Sequence, residues 1–363
     1  MKGETMDYLS LIPVPDTIPA PATLFLVLDI LLFAIHILLI NMILGSGLIT
    51  IFTGMKKGED NLQDRLHGPA VNKIPTLFAI GINMGIAPLL FIQVIYGHLF
   101  YTSSVIMALY WIMVIPFLII AYYGAYIHSR KYDISRLLSK SALWIMVLMV
   151  LYIGFMLVNN NTLMVQPQKW TAYFNNRAGT VLNLEDPSLI PRYLHFVTAS
   201  VAVGGIFLAF LWDRRQKNNV AGAGQKVKSS LEIFAWASIV QILIGCWFLI
   251  SLPADIMKKF MGGYLPSTFL LVIAVLSVLG AIFTALKGKL RPVIYMISIT
   301  LLAMIINRQL LRGFYLEGIF NPDSLKLAPQ YGVMTLFFFI LIIGLAAVGY
   351  MLKISMKKEE GRA

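Results

Sequence analysis

Five ionisable side chains interrupt apolar stretches of the chain: Asp29, His36, His98, His195 and Glu232. Such groups are costly inside a bilayer and mark functional positions by default. A neutral imidazole is a common protein ligand for haem iron or a metal ion. His36, His98 and His195 each lie in a different stretch, toward the same side, and are candidate iron ligands. A histidine between helices also serves as a simple hydrogen-bonding bridge. Asp29 precedes His36 by seven residues, two helical turns, which places both on one helix face. Asp29 reads as a proton relay or cofactor-carboxylate partner, or as a carboxylate reaching the headgroup region. Glu232 reads as snorkelling to the interface. Met257 and Met261 are the methionines placed as candidate axial ligands, the rest being gap-filling core residues. The single cysteine, Cys246, reads as a small core residue, and no CxxCH motif exists for covalent c-type haem.

The elements that must position these residues are membrane helices. Of 363 residues, 58% are hydrophobic and 13% charged, with a mean hydropathy of +0.78. This composition excludes an ordinary soluble domain, a disordered chain and a disulfide scaffold. The net charge of +12 does not argue for nucleic acid, because the basic residues flank long apolar runs. Nine runs are long enough to span: roughly 24–54, 75–101, 104–128, 141–158, 192–212, 230–252, 266–286, 291–307 and 332–353. They are continuous rather than alternating, which excludes a barrel. The first lacks the basic leader and cleavage site of a signal peptide.

With the N-terminus outside, the inner loops take Lys56, Lys57, Arg65 and Lys73, the 130–140 and 214–228 clusters, the 287–291 cluster, and Lys353, Lys357, Lys358 and Arg362. The outer side takes Lys2, Lys169, Arg177, Arg192, Lys258, Lys259, Arg308, Arg312 and Lys326. Twenty basic residues then face inward and nine outward, as the positive-inside rule requires. The expected fold is an all-α polytopic membrane protein. It is one membrane domain over 1–363, with nine transmembrane helices, the N-terminus outside and the C-terminus cytoplasmic.

Several segments together resemble subunit I of the cytochrome bd quinol oxidases. They are FAIHILLI around His36, IGINMGIAPLLFIQVIYG in the second stretch, LMVQPQ after the fourth, RYLHFVTASVAVGGIF around His195, and NRQLLRGFYLEGIF after the eighth. The resemblance covers nearly the whole chain and implies a cytochrome bd subunit I-like bundle. It implies that His36 and His195 ligate haem b iron, and that Arg308 and Gln309 stand for an Arg-Gln pair whose guanidinium holds haem carboxylates.

Departures from the family pattern are concentrated in ligands and acids. The stretch STFLLVIAV carries no methionine ligand, so His98 or Met261 is the candidate replacement. Gln93 stands where the family has a glutamate, Ile305 near another, Asn307 for a glycine and Leu310 for a proline. The outer quinol loop is reduced to about PADIMKKFMGGYLPS. With these carboxylates gone, the leading expectation is a b-haem electron-transfer subunit in a bacterial inner membrane. It would work with other subunits of a respiratory complex, a quinone or menaquinone pool, membrane lipid and a periplasmic c-type cytochrome, and with no nucleic acid. A terminal oxidase with altered ligands, and a haem-free anchor or transport subunit, are the alternatives.

Overall fold

The computed structural model describes residues 8–53 and 65–360. Lys2, Lys56, Lys57 and Arg362, counted above for orientation, lie outside the described residues, as does the last residue of the expected 24–54 run. The described chain is all-α. Its helices are α1 (Ala22–Thr53), α2 (Gly68–Val71), α3 (Ile74–Ile106), α4 (Ala108–Ile112), α5 (Val114–Lys131) and α6 (Arg136–Met164). There follow α7 (Leu189–Lys217), α8 (Ala223–Ile250), α9 (Ala254–Lys258), α10 (Leu265–Leu286), α11 (Leu290–Tyr315) and α12 (Tyr331–Glu360).

Eight of these segments are long and apolar enough to cross a membrane: α1, α3, α4 with α5, α6, α7, α8, α10 and α11. The protein is therefore multi-pass. The 30-residue α12 covers the ninth expected stretch, with a described apolar run at Tyr331–Gly344. Leu, Ile and Phe side chains such as Ile112, Ile115, Leu243 and Phe269 face outward, as hydrocarbon permits and water would not.

Helices run past the apolar stretches because hydrocarbon and its border favour a backbone whose hydrogen bonds are made internally. The clearest case is α11, which continues from the expected end near residue 307 to Tyr315. Arg308 and Gln309 were expected in a loop after the eighth helix; they instead lie inside it, one turn before Arg312. Cys246, expected in the core, is exposed on α8, whose apolar surround lets a small thiol face outward as readily as inward.

Two of the larger apolar cores lie in the two halves of the bundle. One joins α1, α3, α5 and α6 around Phe78, Leu143 and Met146, and the other joins α7, α8, α10 and α11 around Trp212, Phe234 and Val293. They meet where α1 crosses α7. A Cβ on Gly45 would fall 1.7 Å from the Ser200 carbonyl oxygen, so this backbone approach requires glycine. One end of the bundle holds the basic helix junctions. The other carries the long connections. There residues 165–188 fold back onto the α3–α5 junction, with Leu109 N–H bonded to Gly179 O at 3.0 Å. The N-terminal segment pairs there with 326–328 through Ile18 N–H to Lys326 O at 2.9 Å.

Candidate functional site

At the loop-rich end, α1, α3, α7 and α11 bring a polar cluster into the bundle. Asp29 of α1 is only 1% exposed. Its Oδ2 accepts a hydrogen bond from Gln309 Nε2 and lies 3.9 Å from Arg312 Nη1. Arg312 Nη1 in turn donates to Gln309 Oε1 at 2.8 Å. One turn earlier, the Arg308 guanidinium lies over the Phe33 ring at 4.2 Å, and that of Arg312 over Tyr96 at 5.0 Å. Tyr96 sits where α3 departs from helical geometry (φ −116°, ψ 22°). From α7, Arg192 donates to Asn161 Oδ1 at 3.3 Å and stacks 5.0 Å from the Phe248 centroid. Arg192, Arg308 and Arg312 lie within one another's electrostatic reach.

Cations outnumber anions here. Three guanidinium groups face two buried carboxylates, Asp29 and Asp186. Asp186 is already engaged, accepting from Gln166 Nε2 at 2.6 Å and Ser188 N–H at 2.8 Å. Among the described residues, buried nitrogens of all three arginines lack a hydrogen-bond partner: Nε and Nη2 of Arg192, Nη1 of Arg308, and Nε and Nη2 of Arg312. Asp29 Oδ1 and both side-chain atoms of Asn307 are likewise buried and unmet. Leaving such groups unpaired costs about 1–3 kcal/mol each, more where charge is involved. Above the cluster opens a cleft of about 580 Å³, lined by Gln166, Asp186 and Tyr315 among others.

The two best-placed histidines are held differently. His36 Nδ1 lies 2.8 Å from Gly81 O. A carbonyl oxygen only accepts, so Nδ1 carries the proton and Nε2 keeps its lone pair. Gly85, one turn further along α3, makes room for the ring: a Cβ there would lie 2.5 Å from His36 Cε1. His195 on α7 instead packs against α8, where a Cβ on Gly245 would lie 3.2 Å from its Cε1, and its buried Nδ1 has no partner.

The other expected residues stand apart from this cluster in their contacts. His98 is half-buried with its ring edge-on to Phe320 at 4.5 Å. Gln93 Oε1 accepts from Tyr101 Oη at 3.1 Å. Met261 is 67% exposed in the irregular turn before α10, where Gly262 takes φ 111°. Asp29 and His36, placed on one helix face by spacing, engage different neighbours, α11 and α3.

Arg192, Arg312, Tyr96, Phe33 and Gly85 complete the site without having been singled out from sequence. Arg192 and Arg312 had been counted as loop charges. Their signal was the recurrence of Arg308, Gln309 and Arg312 at helical spacing, and of Gly81 and Gly85 four residues apart. Among the described residues no group of three or more His, Cys, Asp or Glu converges as a bare metal site. No family model matches the chain, and no curated protein does.

Proposed function

We propose that the protein is a b-haem-binding integral membrane subunit of a respiratory complex, a divergent relative of cytochrome bd subunit I. It passes electrons between the quinone pool and a periplasmic, cytochrome c-like partner. In this reading it has nine spans in a bacterial cytoplasmic membrane, N-terminus outside and C-terminus cytoplasmic. The observation that carries the reading is the surplus of buried, unpartnered guanidinium nitrogens, with Arg308 within electrostatic reach of His36.

Haem fits these residues in two respects. Its paired carboxylates match the donors of Arg308, Arg312 and Arg192, since a planar guanidinium takes a carboxylate bidentately. Its iron accepts an imidazole nitrogen, and His36 keeps Nε2 available because Gly81 holds the other nitrogen. His195 would hold a separate, low-spin haem in this reading, with His98 and Met261 the lower-ranked candidate ligands. When bound, haem supplies one-electron chemistry.

The chain's own residues do the rest. Gly81 fixes the His36 tautomer and Gly85 admits its ring. Asp29 and Gln309 hold Arg312 in place, so that its remaining nitrogens stay directed at an anion. Asp29 and Gln93 are the polar groups left for proton or carboxylate contacts. The cleft over Asp186 and Tyr315 is the approach for a quinone headgroup or protein partner.

The test is a reduced-minus-oxidised absorption spectrum of the purified protein, with a pyridine haemochrome assay and added carbon monoxide. A sharp b-type band insensitive to carbon monoxide, lost in part in His36→Ala and in His195→Ala, is the expected result. A carbon monoxide shift would move the assignment to a terminal quinol oxidase with altered ligands. Colourless protein under haem-replete expression would leave an anchor or transport subunit.

A further inference from the structure

The basic end of the bundle contains a second enclosed polar site, unrelated to the arginine cluster. A cavity of about 130 Å³ lies between the end of α5 and the start of α6, closed on one side by the segment before α2. Two histidines line it, His67 at 3% exposure and His128 at 2%. His128 Nδ1 lies 3.0 Å from the Ser139 carbonyl oxygen, so it carries the proton and Nε2 is a bare acceptor. That Nε2 is buried and has no partner. His67 Nε2 is hydrogen-bonded to the Tyr132 hydroxyl at 2.9 Å, while its Nδ1 is also buried and unmet. Two side chains more than nine-tenths buried thus line one cavity, and each keeps an unused nitrogen.

The charged residues around the cavity favour negative charge. Arg136 and Lys140 line it, and no carboxylate does among the described residues. Both belong to the first turns of α6, a 29-residue helix whose N-cap, Ser135, makes no side-chain capping bond. The first N–H groups of a helix have no internal partner and carry the positive end of its dipole. The cavity reaches the surface beside Arg136 and Lys140, which are exposed, and beside Trp144, 47% exposed. Its volume suits a tetrahedral oxyanion, which is smaller than the benzene-sized ligand that a cavity of about 150 Å³ admits.

We propose that this cavity is a binding site for a protonated phosphate monoester group, HO–PO₃. The charged oxygens accept from Arg136 and Lys140, at the positive end of the α6 dipole. The P–OH hydrogen is donated to His128 Nε2, the acceptor that nothing among the described residues satisfies. An acceptor inside a basic pocket selects against an anion that has no proton to give. Sulfate, fully ionised near neutral pH, is therefore the discriminating control. The group comes either from a free phosphate or from a lipid whose headgroup is a terminal phosphate, and the basic membrane border allows both.

The experiment uses full-length protein in neutral detergent and in nanodiscs of phosphatidylcholine, with or without phosphatidic acid. Binding of inorganic phosphate and of sulfate is measured by calorimetry in detergent. Thermal stability is compared between the two nanodiscs, and every arm is repeated on the Arg136→Gln/Lys140→Gln double variant. Both substitutions are on exposed side chains, so the fold is retained.

Phosphate binding at least tenfold tighter than sulfate, and weakened tenfold or more in the variant, supports the site with a free anion. Stabilisation by phosphatidic acid alone, lost in the variant, supports it with a lipid source. Equal binding of sulfate and phosphate overturns the role given to His128 Nε2. Binding of neither phosphate nor phosphatidic acid, or binding indifferent to the variant, overturns the site. A His128→Asn protein that folds but loses the preference over sulfate confirms the acceptor independently of charge. None of these readouts depends on haem.

Discussion

The two ends of the bundle bury ionisable groups in opposite ways. At the loop-rich end, charge is kept and only partly matched: Asp29 meets Gln309 and Arg312, Asp186 lies within reach of Arg192, and cations remain in excess. At the basic end, two buried histidines face cations, and burial holds His67 in its neutral form. A buried ion pair is costly to assemble but far costlier to break singly, because the survivor is left uncompensated. A buried neutral histidine carries its cost only when protons become abundant. The same contrast explains why one end suits a bound dicarboxylate and the other a small anion that still carries a proton.

The largest expected effect breaks the matched end. Asp29→Ala removes the carboxylate nearest Arg312 and Arg308, and should cost about 3–5 kcal/mol in denaturant unfolding of the detergent-solubilised protein. Asp29→Asn, which preserves shape and an acceptor for Gln309, should cost less. A loss under about 1 kcal/mol for Asp29→Ala would mean that the arginines are matched by something other than Asp29.

The neutral end is tested by pH. His67 is lowered to about 3, first by burial, then by the charges of His128, Arg65 and Lys226. The unfolded chain titrates near 6.5, so below that value the unfolded state takes a proton that the folded state refuses. Its contribution is therefore intact above about pH 6.5 and erodes as pH falls toward 3, at about 1.4 kcal/mol per unit. Between pH 6.5 and 5 the protein should lose about 2 kcal/mol from this group, and His67→Gln should flatten that slope. An unchanged slope in the variant would place the acid sensitivity elsewhere.

A smaller effect comes from the glycines beside the two span histidines. Gly85→Ala places a methyl 2.5 Å from His36 Cε1 on a ring tied to Gly81, so ring or helix must shift, at about 1–3 kcal/mol. At Gly245 the methyl would stand 3.2 Å from His195 Cε1, a ring with no hydrogen bond on Nδ1 to break, so it can yield by a few tenths of an ångström. Unfolding midpoints of the two alanine variants should differ in that order.

The apolar runs were sufficient to find the eight candidate spans among the described residues, since about 20 apolar residues have one stable form in hydrocarbon. Asp29, His36, Arg308 and Gln309 were also visible as polar residues in or beside apolar runs, and all four join the cluster by direct contact or charge. What stayed hidden has physical causes. Arg312 lies beyond the 291–307 run, and Arg192 only opens the 192–212 run, so both read as loop charges where the backbone is helical. Tyr96 and Phe33 read as ordinary core aromatics until the guanidinium groups stacked on them are placed. The cavity around His67 and His128 is formed by residues more than sixty positions apart, a proximity that no local pattern encodes.

The smallest expected effect asks whether the two span histidines differ as their surroundings do. In haem-free protein, His36→Leu loses the bond to Gly81 O and should cost about 1 kcal/mol. His195→Leu removes a buried nitrogen that has no partner, and replaces it with a side chain of similar size between α7 and α8. Removing an unsatisfied polar group in favour of an apolar one is neutral or stabilising. The His195 variant should therefore unfold at or slightly above the denaturant midpoint of the parent, and the His36 variant below it. Equal losses at both positions would mean that His195 is held by a bond rather than by shape, and the distinction between the two pockets would go with it.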